Sequence, residues 1–305
     1  MRIEFTISRL RLCFVILLML SACATTSERS KTKITRDFIF AERTGVKLTA
    51  DWHPALSEEL ARDKKAPACI VIHGGGWYKG DKKDMESVAV RLTESGIAAM
   101  NMNYRLAPEH RFPAPVLDTK DAIRWLKGNA KTLGIDPERV CMIGYSAGAH
   151  LALMAGFTLP SDGLDDTKPP AAKIFKFPGS EPLSTLPAAL TVKALAVGGT
   201  PTDLTDGSYN KYYEKFFGQP PSVIPQTYKA ASPMTYVRKG VPPVFLYHGK
   251  NDWVVEVDQS RRLVDKLRSQ GVDVEYLEVT FGHVATFLFD DKEVGAAIKF
   301  LTSRL

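Results

Sequence analysis

The amino-acid sequence predicts an α/β fold with a mostly parallel central sheet and helices on both faces. Short apolar runs typical of fully buried strands, such as residues 68–72, recur along the chain. They alternate with segments of helical period, such as residues 116–133. Parallel strands need long crossover connections, and helices supply them, so this alternation indicates βαβ units. The length of 305 residues allows one large domain or two small ones.

The predicted elements begin with a hairpin, because two strand-like runs are joined through Arg43-Thr44-Gly45. The helix predicted at 116–133 ends at Gly134, since glycine adopts the left-handed conformation that closes helices. Strands are expected at 38–40, 46–50, 68–72, 97–102, 140–143, 192–197, 244–247 and 272–279, and helices at 85–95, 116–133, 147–157, 258–269 and 291–305.

Two stretches interrupt the alternation of strands and helices. Residues 160–189 are rich in Pro, Asp and Gly, and residues 201–240 hold several prolines and a Tyr/Phe-rich segment. We expect both to be inserted loop or cap segments that leave the sheet. In α/β enzymes such segments often cover the functional site.

The N-terminal segment has the pattern of an export signal. Three arginines precede the apolar run 13–20, which is too short to cross a bilayer. Residues 20–23, Leu-Ser-Ala-Cys, resemble the lipobox of bacterial lipoproteins. The resemblance implies that Cys23 is lipidated and tethers the protein to a membrane of the cell envelope, facing the periplasm or in the outer membrane. A plain signal peptide cut after Ala22 is the alternative.

The predicted organisation is therefore a lipoprotein signal peptide at 1–22, a polar flexible tether at 23–34 and one domain at 35–305. The formal net charge is +6, without a Lys/Arg cluster typical of nucleic-acid binding. Cys69 and Cys141 lie in apolar strand-like runs and are predicted to be buried free thiols. No metal-ligand spacing is present, so no metal or cofactor is expected, and the oligomeric state is open.

The pentapeptide GYSAG, residues 144–148, separates the predicted strand 140–143 from the predicted helix 147–157. A sharp turn there would project Ser146 from the edge of the sheet where ligands collect. Side chains at positions 144 and 148 would collide with the neighbouring strand and helix, and glycine avoids this. The pattern in this context resembles the nucleophile elbow of the α/β-hydrolases. The alternative is a glycine-rich turn with a capping serine.

A second motif, HGGGW at residues 73–77, follows the predicted strand 68–72. Consecutive glycines let backbone N–H groups approach a ligand closely, and the oxyanion of acyl transfer needs such donors. The motif matches the HGGG sequence of lipases and esterases. We assign the backbone N–H groups of Gly74, Gly75 and Ala147 to an oxyanion hole, and expect His73 to hold the loop.

A serine needs a base before it becomes a good nucleophile. In α/β-hydrolases the chain order is serine, acid, histidine, and only His248 and His283 lie well beyond Ser146. His283 is the predicted base, because acid candidates come after His248 and because His283 follows the last strand. Asp252, after strand 244–247, is the predicted acid, with Asp203 as the alternative. His150 is expected to be a packed or capping residue.

Together these motifs resemble the hormone-sensitive-lipase-like and BD-FAE-like serine esterases over most of residues 67–285. The matching stretches are HGGGW (73–77), NYRLAPEH (103–110), FPAP (112–115), Asp118, GIDPERV (134–140), GYSAGAHLA (144–152), HGKND (248–252) and GH (282–283). The resemblance implies an α/β-hydrolase fold and a cofactor-free carboxylester hydrolase. Its substrates would be short-acyl esters, such as acetyl or feruloyl groups on carbohydrate.

Two other functions are compatible with the sequence. An amidase, formamidase or peptidase on the same fold would use the same three residues, because fold does not determine substrate. A tethered binding protein without catalytic activity is the other alternative, although such proteins usually lose one of the three residues.

Overall fold

The computed structural model describes residues 33–56, 65–164, 172–178, 182–183, 185, 190–205, 210–283 and 291–305. The predicted signal peptide, Cys23 and the tether up to residue 32 lie outside the described residues. Residues 33–305 form one compact unit. None of the helices within the described residues is long and apolar enough to cross a membrane.

The described residues form a nine-stranded sheet in the order β6-β1-β2-β4-β3-β5-β7-β8-β9. The six strands from β4 to β9 in this order pair in parallel with one another. The pairs β6–β1, β1–β2 and β2–β4 are antiparallel. The strands are β1 Thr35–Arg43, β2 Val46–His53, β3 Ala66–Ile72, β4 Ala98–Met102, β5 Ile135–Tyr145, β6 Lys173–Ile174, β7 Ala194–Gly198, β8 Val244–Gly249 and β9 Val274–Val279. The predicted fold class is confirmed by this mostly parallel sheet and by the solved structures described below.

Helices cover both faces of the sheet. They are α1 Glu86–Glu94, α2 Ala114–Gly128, α3 Ala130–Leu133, α4 Ala147–Phe157, α5 Lys211–Phe217, α6 Pro225–Ala230, α7 Val257–Ser269 and α8 Asp291–Arg304. Short 3-10 turns occupy Lys82–Met85, Pro160–Asp162 and Pro233–Tyr236.

The central strand β3 divides its side chains between two hydrophobic cores. Ile70 and Ile72 belong to the core beneath α2, α4 and α7, whereas Cys69 and Val71 belong to the core beneath α1 and α8. Successive side chains of a strand point to opposite faces, so a strand buried on both sides must be apolar throughout. Cys69 lies opposite Cys141 of β5, and both are buried free thiols, as predicted.

The helix predicted at 116–133 is instead two helices, α2 and α3, that meet at Asn129. The Asn129 side-chain amide donates to the carbonyl oxygens of Trp125 and Phe175, and its oxygen accepts the Phe177 N–H at 2.8 Å. The side chain thus binds a segment far along the chain and caps the end of α2. Gly134 closes α3 at φ 68°, as expected.

The expectation that residues 160–189 leave the sheet is wrong for one part. Lys173 and Ile174 form β6 and pair with Glu42 and Ala41 of β1 at the sheet edge. A two-residue strand has no periodicity of its own, so sequence pattern does not reveal it.

Candidate active site

Ser146 occupies the sharp turn between β5 and α4, with φ 54° and ψ −119°. Its N–H donates to Gly198 O of β7 at 2.8 Å, which holds the turn against the sheet. A Cβ at Gly148 would lie 2.1 Å from Ile72 O of β3, and a Cβ at Gly144 would lie 2.5 Å from Gly148 O. Both positions therefore require glycine, because the backbones approach so closely. The turn holds Ser146 in a backbone conformation that residues other than glycine rarely adopt.

His283, in the loop after β9, lies between Ser146 and Asp252. Its Nε2 is 2.9 Å from Ser146 Oγ, and its Nδ1 is 2.6 Å from Asp252 Oδ2. The Tyr145 hydroxyl donates to the His283 carbonyl oxygen at 2.6 Å and fixes the backbone of the loop. The structure thus brings together the three residues proposed as nucleophile, base and acid, although 137 positions separate Ser146 from His283.

Asp252 is buried directly after β8. Its Oδ1 accepts the N–H groups of Val254 and Val255, each at 2.9 Å. Burial raises the pKa of this carboxyl, but the hydrogen bonds from His248, His283 and Val255 outweigh it and hold the pKa well below its ordinary value. Asp252 is therefore a carboxylate that can accept a hydrogen bond from His283 Nδ1 and fix its orientation.

The alternative acid, Asp203, has other partners. Its Oδ1 accepts the Thr205 hydroxyl at 2.6 Å, and its Oδ2 lies 3.0 Å from Arg262 Nη1 of α7. These bonds hold Asp203 within the second inserted segment and against α7. The geometry therefore favours Asp252 as the acid.

The backbone of Gly74, Gly75 and Ala147 lines the same cavity as Ser146. A Cβ at Gly74 would lie 3.5 Å from Ser146 Cβ, so this backbone passes directly beside the hydroxyl. Gly75 has φ +111°, and its carbonyl accepts the N–H groups of the residues at 78 and 79, which closes a tight turn. Ala147 is the first residue of α4, where N–H groups have no helical partner and the helix dipole favours negative charge.

Two other histidines near the site are fixed in the structure. His73 is buried, stacks on Tyr104 with ring centroids 4.3 Å apart, and burial lowers its pKa. His150 accepts from Trp77 Nε1 at 3.2 Å and donates through Nε2 to Ala231 O at 2.7 Å. Burial lowers the His150 pKa to about 4. Both residues pack and hold loops, as the sequence indicates.

The cavity above Ser146 has a volume of about 410 Å³. Asn210, Tyr212 and Tyr213 of the second inserted segment line it, so this segment borders the site. Trp253, next to Asp252, also lines the cavity and is 82% exposed. Sequence reasoning missed Trp253, although an aromatic residue adjacent to the predicted acid was a usable signal.

The family model for BD-FAE matches residues 57–267 of the chain. The chain belongs to the BD-FAE family. This membership confirms the resemblance on which the sequence interpretation depends. The match includes the turn that carries Ser146, the HGGGW loop and Asp252.

Among curated relatives, this BD-FAE family member is 32% identical to Esterase LipQ of Mycobacterium tuberculosis over 235 residues. The aligned region covers 74% of the chain and 52% of LipQ. Esterase LipC of the same organism is 31% identical over 228 residues, 71% of the chain and 52% of LipC. The chain spans about half the length of the curated relatives it matches.

Solved structures share the fold. Thermogutta terrifontis esterase 2 with bound propionate has a TM-score of 0.70 and 22% identity, covering 90% of this chain and 95% of that one. A truncated carbohydrate esterase from gut microbiota has a TM-score of 0.72 and 24% identity, covering 91% and 98%. At these identities the likeness establishes the α/β-hydrolase fold alone.

Proposed function

We propose that the protein is a serine carboxylester hydrolase that acts on short-acyl esters, with acetyl or feruloyl esters of carbohydrate as candidate natural substrates. The observation that carries the proposal is the continuous chain from Asp252 Oδ2 through His283 to Ser146 Oγ, with separations of 2.6 and 2.9 Å. This arrangement opens into a cavity lined by Gly74, Gly75 and Ala147. The names of the curated relatives, which are esterases, support the same reaction class.

In the proposed mechanism, Ser146 Oγ attacks the ester carbonyl carbon while His283 Nε2 accepts the hydroxyl proton. Asp252 orients the imidazole and stabilises its positive charge. The negative charge on the carbonyl oxygen is stabilised by the N–H groups of Gly74, Gly75 and Ala147.

The tetrahedral intermediate then collapses to an acyl-serine, and His283 Nε2 returns its proton to the leaving alcohol. In the second half, His283 removes a proton from water, the resulting hydroxide attacks the acyl carbon, and Ser146 leaves with that proton. The ester and one water thus become an acid and an alcohol, without a cofactor.

The form of the site supports a small acyl group and a ring-bearing alcohol. A cavity of about 410 Å³ is of the size used for small molecules. Trp253 exposes 82% of its surface at the rim, and an exposed aromatic ring offers an apolar face to a partner. We propose that a sugar ring packs on this face. The gut carbohydrate esterase shares the fold and supports this substrate class.

Hydrolysis of aryl esters of increasing acyl length by the full chain tests the proposal. We expect preference for short chains, and Ser146→Ala should lower kcat/KM by at least about 10³-fold. A clear optimum at long chains would reject the short-acyl part. Matched amide substrates separate an amidase or peptidase from an esterase, and an acetylated xylo-oligosaccharide with Trp253→Ala tests the sugar contact through KM.

We also propose, from the sequence alone, that the protein is exported and lipidated at Cys23. The predicted lipobox supports this, and residues 1–32 lie outside the described residues. Membrane fractionation of cells expressing the chain or its Cys23→Ser variant tests it. Membrane association of the chain should be lost in the variant, and equal association would contradict lipidation.

A further inference from the structure

His248 is a buried residue at the end of β8 that the proposed mechanism does not use. It begins the HGKND stretch, four positions before Asp252, and its side chain is fully buried. Buried imidazoles need partners for both ring nitrogens, and the partners of His248 place it behind the proposed acid.

Both ring nitrogens of His248 are engaged. Nε2 lies 2.9 Å from Val255 O and 3.2 Å from Asp252 Oδ2, and Nδ1 lies 2.7 Å from Ser260 Oγ of α7. A carbonyl oxygen only accepts hydrogen bonds, so Nε2 must carry a hydrogen. That hydrogen lies between Val255 O and the oxygen of Asp252 that also faces His283.

Asp252 Oδ2 is therefore shared by two imidazoles, His283 at 2.6 Å and His248 at 3.2 Å. Its other oxygen is occupied by two backbone N–H groups, from Val254 and Val255. Each hydrogen-bond donor to Asp252 stabilises part of the negative charge of the carboxylate. Less of that charge is then available to stabilise a protonated His283 ring.

We infer that His248 is a positioning residue for the proposed base: it fixes Asp252 and limits the carboxylate charge that acts on His283. The inference rests on the proposed function, because it assigns a role within the same site. Without the His248 donor, Asp252 would attract the protonated form of His283 more strongly. A higher pH would then be needed to free the base.

The other charged and titratable groups around the site are the same in every His248 variant. From β9, Glu278 lies in register with His248 but is paired with Arg261 of α7 at 2.7 Å. From β5, the Tyr145 ring centroid lies 5.1 Å from that of His283. From the loop after β3 and the 3-10 turn Lys82–Met85 that follows it, Lys79 and Asp84 line the cavity. Differences between His248 variants can therefore be attributed to the His248 contact.

A matched pair of variants of the full chain tests the inference. In His248→Gln the amide nitrogen reaches the position of Nε2. In His248→Asn it reaches only the position of Nδ1, so the hydrogen bond to Asp252 is lost. The readout is the pH dependence of the second-order rate constant for labelling by a fluorophosphonate, which requires no knowledge of the natural substrate.

We expect the acid limb of the His248→Asn profile to move to higher pH by about half to one unit, as the loss of one charge-assisted hydrogen bond implies. His248→Gln should restore the wild-type profile. An unshifted Asn variant, or equal shifts in both variants, would overturn the inference, since a merely structural role would lower folded yield without moving the limb.

A measurement on the wild-type chain keeps the inference testable if neither variant folds. Nitrogen-15 NMR of histidine-labelled protein should show a hydrogen on His248 Nε2 at neutral pH, and an Nε2 without hydrogen would overturn the inference. Failure of wild-type protein to react with the fluorophosphonate would instead reject the proposed function. The NMR result does not depend on that reaction, so the two failures can be distinguished.

Discussion

At the scale of single residues, the site depends on backbone positions that tolerate only glycine. Gly75 combines φ +111° with a Cβ position 2.0 Å from Lys79 O, so any side chain there must displace the turn that carries a proposed oxyanion donor. Gly163 also has positive φ, at 75°, but apart from its chain neighbours no atom of the described residues lies within 4 Å of its Cβ position. Alanine variants at these two positions therefore separate the effect of backbone strain from the effect of displacing the proposed oxyanion hole.

We predict that Gly75→Ala lowers kcat on the order of 10²–10³-fold, the effect of losing one oxyanion donor. Gly163→Ala should introduce backbone strain of the same kind but keep kcat within about twofold of the wild-type value, since Gly163 does not line the cavity. Steady-state kinetics on a short-chain aryl ester, with circular dichroism to verify folding, measures both. Equal kcat in the two variants would contradict the assignment of Gly75.

At the scale of elements, the break between α2 and α3 shows how a side chain far from the site orders an inserted segment. Asn129 makes hydrogen bonds to Trp125, Phe175 and Phe177, and it is almost fully buried. Removing such a side chain leaves buried backbone groups without partners.

Asn129→Ala should lower the free energy of unfolding by about 1–3 kcal/mol, because buried polar groups lose their partners. Its kcat should be unchanged, since Asn129 does not line the cavity. Denaturant unfolding measures the loss, with Ser269→Ala, which removes an exposed hydrogen bond, as control. A change as small as in this control would contradict the role of Asn129.

Sequence pattern predicts some of these elements and misses others. The turn at Ser146 and the bounds of α4 follow from two glycines and an apolar run, which are local signals. The break at Asn129 depends on a partner 46 positions away, and β6 on two residues at a sheet edge. The contact of His248 with Asp252 depends on how residues 252–255 fold back, which no periodicity encodes.

At the scale of the whole molecule, buried histidines couple folding to pH. Burial lowers the pKa of His150 to about 4, against about 6.5 in an unfolded chain. The unfolded state therefore binds more protons between these values, and stability is lost as pH falls from about 6.5 towards 4. His73 and His53 have pKa values lowered by burial and act in the same direction.

We predict that the free energy of unfolding falls by about 2 kcal/mol between pH 8 and pH 5 through His150 alone. His150→Gln keeps an amide donor and acceptor but does not titrate, so its stability should change less over this range. Urea unfolding at several pH values measures the slopes. Identical slopes in the two proteins would contradict neutral burial of His150.

The proposed function depends on Ser146 as a nucleophile activated by His283, and peptide mapping after fluorophosphonate labelling can identify that nucleophile. We expect one adduct per chain, on the peptide that contains Ser146, with labelling abolished in Ser146→Ala and strongly slowed in His283→Ala. An unlabelled wild-type chain, or an adduct on a different residue, would contradict it.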